Sequence, residues 1–193
     1  MKKYHQIRKV HLYAYRKKVL GMRILVLNGS PRPGGHTAQM VAAFSEGARS
    51  KGHQVDVVDV CKMEIHGCLA CEYCHTKGNG SCIQKDDMQK VYPLLQEAEM
   101  IVLASPIYYH HFSGQLVCAM NRIYALDKPQ KLKKAALIMS SGSDHVYSGA
   151  IFTYQNSFLN YLHLEDMGIF SVYGEDNDMK SKLNELRDFG QSL

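Results

Sequence analysis

The sequence predicts a three-layer α/β domain built on a five-stranded parallel sheet. Three observations carry that prediction. Short β-prone segments alternate with helical patterns along the whole chain. The segments at 100–104 and 135–139 are apolar throughout, as strands covered on both faces are. No internal repeat and no linker-like stretch divides the 193 residues, a length that suits one domain with a full core.

The elements follow in order. Ile24-Leu25-Val26-Leu27 makes a buried first strand over 23–27. A helical pattern covers 37–51, and Gly52 stands where a helix ends. Valine and aspartate alternate over 55–60, which reads as a more exposed, edge-like strand. Residues 61–85 show no period and hold five of the six cysteines. A helix over 86–97 opens on Asp86-Asp87, acids suited to its positive end, and Pro93 is expected to kink or split it. After the strand at 100–104 comes a loop, 105–112. Ser113 then caps a helix over 114–126 with Leu116, Met120 and Ile123 on one face. The strand at 135–139 feeds a loop over 140–145, and a helix over 149–162 follows. A strand at 168–173 and a helix over 179–189 complete the pattern.

The stretch Leu27-Asn28-Gly29-Ser30-Pro31-Arg32-Pro33-Gly34-Gly35-His36-Thr37 joins the first strand to the first helix. Free N–H groups and the helix dipole make such a junction an anion site. Pro31 and Pro33 cannot donate, so the amides of Arg32 and of Gly34 to Thr37 are the expected donors. Ser30 and Thr37 add hydroxyls, and Arg32 adds a full charge. A Walker A loop ends in Gly-Lys-Ser/Thr, and there is no lysine here. The Gly-x-Gly-x-x-Gly dinucleotide fingerprint is also missing, and a small phosphate monoester fits better than a triphosphate. In parallel sheets ligands bind beyond the carboxyl ends of the strands. The loops after the first, third and fourth strands are the most ligand-like of the chain.

The formal charge of +5 belongs to the first 21 residues, which hold Lys2, Lys3, Arg8, Lys9, Arg16, Lys17 and Lys18 and no acid. The rest has 16 basic against 18 acidic residues, so its body carries no nucleic-acid footprint. Residues 1–21 read as a basic extension ahead of a domain at 22–193, with Met22 abutting the first strand. A solvated accessory helix is the competing reading, and a signal peptide lacks its apolar middle. No apolar run is long enough to span a bilayer. Six cysteines without an export signal point to a reducing compartment, hence a cytoplasmic protein.

Cys68, Cys71, Cys74 and Cys82 read C-x2-C-x2-C-x7-C. Three cysteines at successive spacings of three plus a distant fourth can hold a cubane iron–sulfur cluster. A single zinc more often uses two separated pairs. A [4Fe–4S] cluster, thiols without metal, and zinc all stay open from spacing alone.

Taken together, the motifs resemble the flavodoxin-like NADPH-dependent FMN reductases and iron–sulfur flavoproteins. The matching residues are Gly29-Ser30-Pro31-Arg32-x-x-Gly35-His36-Thr37, Ser105-Pro106-Ile107-Tyr108-Tyr109, Ser113-Gly114-Gln115-Leu116 with Asn121-Arg122, and the cysteine run leading into Lys85-Asp86-Asp87-Met88. The resemblance implies a flavodoxin-like strand order, 2-1-3-4-5. It implies FMN, its phosphate held by Ser30, Arg32, Gly35, His36 and Thr37. His36 stands where many relatives carry asparagine. Pro106, Ile107, Tyr108 and Tyr109 would lie against the flavin ring, Tyr108 stacking on it, and Ser141 and Gly142 would close on it. Val117 replaces a common lysine, and Asn121 a common aspartate. No catalytic residue is assigned.

The activity implied is an NAD(P)H-dependent oxidoreductase. Reduced flavin would pass electrons to a quinone, azo or nitro compound, to free flavin, or to a one-electron redox protein, with a [4Fe–4S] cluster at the four cysteines as a further carrier. A non-enzymatic electron-transfer protein is the alternative, and a metabolite-binding module docked through its basic tail is a third. The resemblance also implies a homodimer or higher homo-oligomer.

Overall fold

A computed structural model describes residues 21–174 and 179–193. The basic extension therefore lies outside the described residues, except Gly21. The chain forms β1 (Arg23–Asn28), α1 (His36–Ser50), β2 (Gln54–Asp59), α2 (Met88–Glu97), β3 (Met100–Tyr108) and β4 (His111–Phe112). Then come α3 (Gly114–Ile123), β5 (Lys134–Ser141), α4 (Ser148–Phe152), α5 (Asn160–Leu162), β6 (Glu165–Tyr173) and α6 (Met179–Ser192). Short 3-10 turns cover Val60–Lys62, Tyr73–His75 and Tyr124–Leu126, and a π-helical segment, Thr153–Leu159, joins α4 to α5.

Five strands are parallel in the order β2-β1-β3-β5-β6, the flavodoxin-like order, with β4 paired antiparallel to β3. Strand periodicity sorts the core into two layers. Ile24, Val26, Met100, Val102, Ala136 and Ile138 face α1 and α6. Leu25, Leu27, Ile101, Leu103, Ala135 and Leu137 face α2, α3 and the π-helical segment. The alternating Val/Asp strand is an edge, as its pattern predicts.

Glycine lets α1 and α6 meet backbone to backbone. A Cβ on Gly47 would lie 2.1 Å from the Arg187 carbonyl oxygen, and one on Gly190 would lie 2.4 Å from that of Phe44. The Phe189 ring fills the seam between Phe44 and Phe170, at centroid distances of 5.6 and 4.7 Å.

Several boundaries differ from expectation. α2 runs unbroken through Pro93. It starts at Met88, with Asp87 as its N-cap and the Asp86 carboxylate accepting the Met88 amide. The segment read as loop 105–112 is a hairpin: β3 continues to Tyr108 and pairs with His111-Phe112. Tyr109 and His110, both at positive φ (52° and 67°), make its turn. Two left-handed residues in a row suit a two-residue hairpin, but without glycine the sequence gives no cue. Likewise β6 begins at Glu165, before Gly168. That glycine, at φ 136°, sits in a bulge between the pairs Ala135–Asp166 and Leu137–Ile169 rather than at the strand start. No helix among the described residues is long and apolar enough to cross a membrane.

Candidate functional site

β1, β3 and β5 end side by side, and their carboxyl-end segments enclose a cleft of 780 Å³. One end of it is the loop from β1 into α1. Gly29 makes the loop possible by running against α3: a Cβ there would lie 2.4 Å from Ser113 Oγ and 2.9 Å from Leu116 Cβ. The Gly29 amide donates to the Ala104 carbonyl at 2.8 Å. Ser113 Oγ in turn caps α3, accepting from the Leu116 amide at 3.4 Å.

The N-terminus of α1 has Gly35 as its N-cap, no side-chain cap and no acid in its first turn. No side chain therefore competes for the N–H groups of its first turn. Not every expected donor is free. The Gly35 amide closes the turn onto the Arg32 carbonyl at 3.1 Å. Thr37 is buried, with its hydroxyl 2.7 Å from Ser140 Oγ, so it ties α1 to the end of β5. Arg32 is exposed at the rim, and His36 is half-buried.

The other walls are Pro106, Ile107 and Tyr108 from β3 and Ser140, Ser141 and Gly142 from β5. Ser141 belongs to the strand, not to a loop. Its hydroxyl donates to Ser143 O at 2.6 Å and lies 2.7 Å from the Tyr147 hydroxyl, which donates to Val172 O at 2.6 Å. Burial pushes the Tyr147 phenol up, so it stays a donor at neutral pH. Ten of the eleven expected flavin-binding residues line this cleft. Tyr109 does not: it is 98% exposed on the hairpin turn. Gln39, Ser140 and Gly174 also line the cleft. Of these, only Ser140 had a sequence cue, as part of the Ser-Ser-Gly stretch.

The four spaced cysteines converge as well. Cys68, Cys71, Cys74 and Cys82 line one small cavity, the first two exposed and the last two buried. Among the described residues, no three His, Cys, Asp or Glu side chains stand close enough to hold a single metal ion.

The segment is held by a buried pair whose role sequence did not reveal. Arg122 Nη1 and Nη2 donate to Asp86 Oδ2 and Oδ1 at 2.6 and 3.1 Å, with side-chain exposures of 1% and 6%. Arg122 also donates to His66 O at 3.0 Å, while Asp86 accepts the amides of His66 and Met88. Burial alone would raise the Asp86 carboxyl. The Arg122 bonds and the His66 amide outweigh it and hold the carboxyl near 2.

Comparison with known proteins follows this geometry. The sequence model of the family "NADPH-dependent FMN reductase" matches residues 22–178. An iron–sulfur flavoprotein of Archaeoglobus fulgidus is 30% identical over 128 residues, covering 66% of this chain and 56% of its own length. One from Methanosarcina thermophila is 29% identical over 149 residues, covering 76% and 75%. The fold matches that of an NAD(P)H:quinone oxidoreductase from Methanothermobacter marburgensis at TM-score 0.68 and 18% identity, over 90% of this chain and 96% of that one. An FMN-dependent NADH-azoreductase of Bacillus anthracis, solved in complex with FMN, matches at TM-score 0.63 and 15% identity, over 89% and 99%.

Proposed function

The chain belongs to the NADPH-dependent FMN reductase family, a family of oxidoreductases, and from that premise we propose that its cleft binds FMN and passes electrons from NAD(P)H to a quinone-, azo- or nitro-type compound or to a one-electron partner. The observation that carries the reading is the convergence of the β1, β3 and β5 ends on one cleft with an uncapped helix N-terminus at one end. Bound there, FMN would supply hydride acceptance and electron delivery. The chain supplies the rest. The α1 N-terminus and Arg32 meet a phosphate, and Pro106, Ile107 and Tyr108 give the ring a flat, partly apolar wall. Tyr147 fixes the Ser141 hydroxyl at the far side. No proton-transferring side chain is assigned.

We also propose a [4Fe–4S] cluster at Cys68, Cys71, Cys74 and Cys82, on the ground that all four line one cavity. Anaerobically purified protein should carry about four irons per chain and a broad, bleachable absorbance shoulder. Loss of that shoulder in Cys74→Ser is the expected result, and an unchanged spectrum removes the cluster. A homo-oligomer, with Tyr109 exposed beside the cleft, belongs to the same proposal.

The flavin reading is tested by spectrum and turnover. Protein soaked with FMN should show bound-flavin bands and oxidise NAD(P)H with a quinone acceptor. Full loading without turnover favours a non-enzymatic carrier. Arg32→Ala should raise the FMN dissociation constant about tenfold, the value of one charge-assisted bond at a solvent-exposed rim. Riboflavin, which lacks the phosphate, should bind the variant as it binds the parent. An equal loss for both ligands would take Arg32 out of the phosphate site.

A further inference from the structure

Behind the cleft, the corner where β2 ends is built around Ser30. Asp59 closes β2, and its Oδ1 accepts from Asn28 Nδ2 at 2.9 Å. Asn28 Oδ1 then accepts the Ser30 amide at 3.1 Å. From the following turn, the Cys61 thiol donates to the Ser30 carbonyl at 2.8 Å. Lys62 Nζ, 2.6 Å from Asp59 Oδ2, holds the carboxylate in place. Asn28 and Ser30 are buried, at 5% and 6% exposure. The Ser30 amide is thus held by Asn28, itself bonded to Asp59 at the end of β2, and its carbonyl by Cys61 from the turn after β2; neither Asp59 nor Cys61 lines the cleft.

The thiol suits this task only while protonated. Burial pushes the Cys61 thiol up, and the Asp59 carboxylate pushes it further. Sγ thus keeps its hydrogen at neutral pH and donates it. A thiolate would repel the carbonyl it now holds and any phosphate in front of it.

We infer that Asp59 and Cys61 are positioning residues of the phosphate loop, fixing Ser30 through Asn28 and through the S–H bond so that the loop selects a phosphorylated flavin over an unphosphorylated one. The inference rests on the flavin reading above. Its chemistry is indirect: the pair sets where the loop's donors stand, so its removal should weaken phosphate recognition and leave ring contacts alone.

The experiment is equilibrium titration of the full chain with FMN and with riboflavin, for the parent, Cys61→Ala, Cys61→Ser and Asp59→Ala, with thermal unfolding of each. Cys61→Ala and Asp59→Ala should each raise the FMN dissociation constant about three- to tenfold, the effect of one lost hydrogen bond, with riboflavin unchanged. Cys61→Ser keeps a donor within reach of the carbonyl and should stay within about twofold of the parent. An unchanged FMN-to-riboflavin ratio in both alanine variants overturns the inference. So does equal weakening of both ligands, or a serine variant no better than alanine. A parent protein that binds neither flavin overturns the flavin reading itself, and the inference falls with it.

Discussion

Arg122→Ala is expected to cost about 3–5 kcal/mol of folding stability, because it strands a buried carboxylate. Asp86 has 6% side-chain exposure and keeps two backbone donors and the His66 ring, 3.5 Å from Oδ2, once the guanidinium is gone. The His66 carbonyl loses a donor as well. The pair staples both ends of the cysteine segment to α3, so the loss should be local first. Amide exchange should quicken between residues 66 and 86 before the sheet is affected. At many buried ion pairs, replacing both partners with apolar residues keeps or restores stability. Here it should not, since Asp86 also satisfies the amides of His66 and Met88. A denaturant melt of Arg122→Met/Asp86→Leu checks this: recovery to parental stability would mean those amides find other partners. The pH dependence has a definite sign. The carboxyl lies near 2 in the folded protein against 3.8 for the ordinary group. Its contribution, about 2 kcal/mol, is therefore complete above pH 4 to 5 and is lost as pH falls toward 2.

Gly29→Ala should harm both fold and site. The new methyl would sit 2.4 Å from Ser113 Oγ and 2.9 Å from Leu116 Cβ, in a region with no room. Overpacking of this kind costs about 1–3 kcal/mol. The strain falls on groups that shape the cleft: the α3 cap, the β1–β3 contact through Ala104, and the β1–α1 loop itself. FMN affinity should drop at least about tenfold, by the same arithmetic. Gly34→Ala is the control. Its Cβ would meet nothing within 4 Å, so stability should stay within about 0.5 kcal/mol. Titration and melting of the two variants side by side would decide it. Equal effects would mean that loop flexibility, not close packing, is what Gly29 provides.

The sheet was legible because its central strands are buried on both faces. Continuous apolar runs mark β1, β3 and β5, and the charged alternation of β2 marks an edge. The cleft was legible for a related reason: its walls are the segments just beyond those runs. What sequence hid depended on long-range partners. Nothing in Tyr109-His110 announces a tight turn, since its left-handed backbone is imposed by the pairing of Tyr108 with His111 and by α4, whose Gly149 packs against the His110 carbonyl. Asp86 read as a helix-opening acid, but its partner Arg122 lies 36 residues away. Nothing in the sequence around Cys61 pointed to the phosphate loop, and only the fold brings its thiol onto the Ser30 carbonyl.

The seam between α1 and α6 sets an order of events on the ribosome. Glu46 and Arg187, which meet across it, are 141 residues apart. Until α6 has left the exit tunnel, α1 alone covers that face of the nascent sheet, and Phe44 of α1 and Phe170 of β6 lack the Phe189 ring that packs between them. Chaperone dependence and loss to aggregates during synthesis should therefore track how soon that last helix arrives.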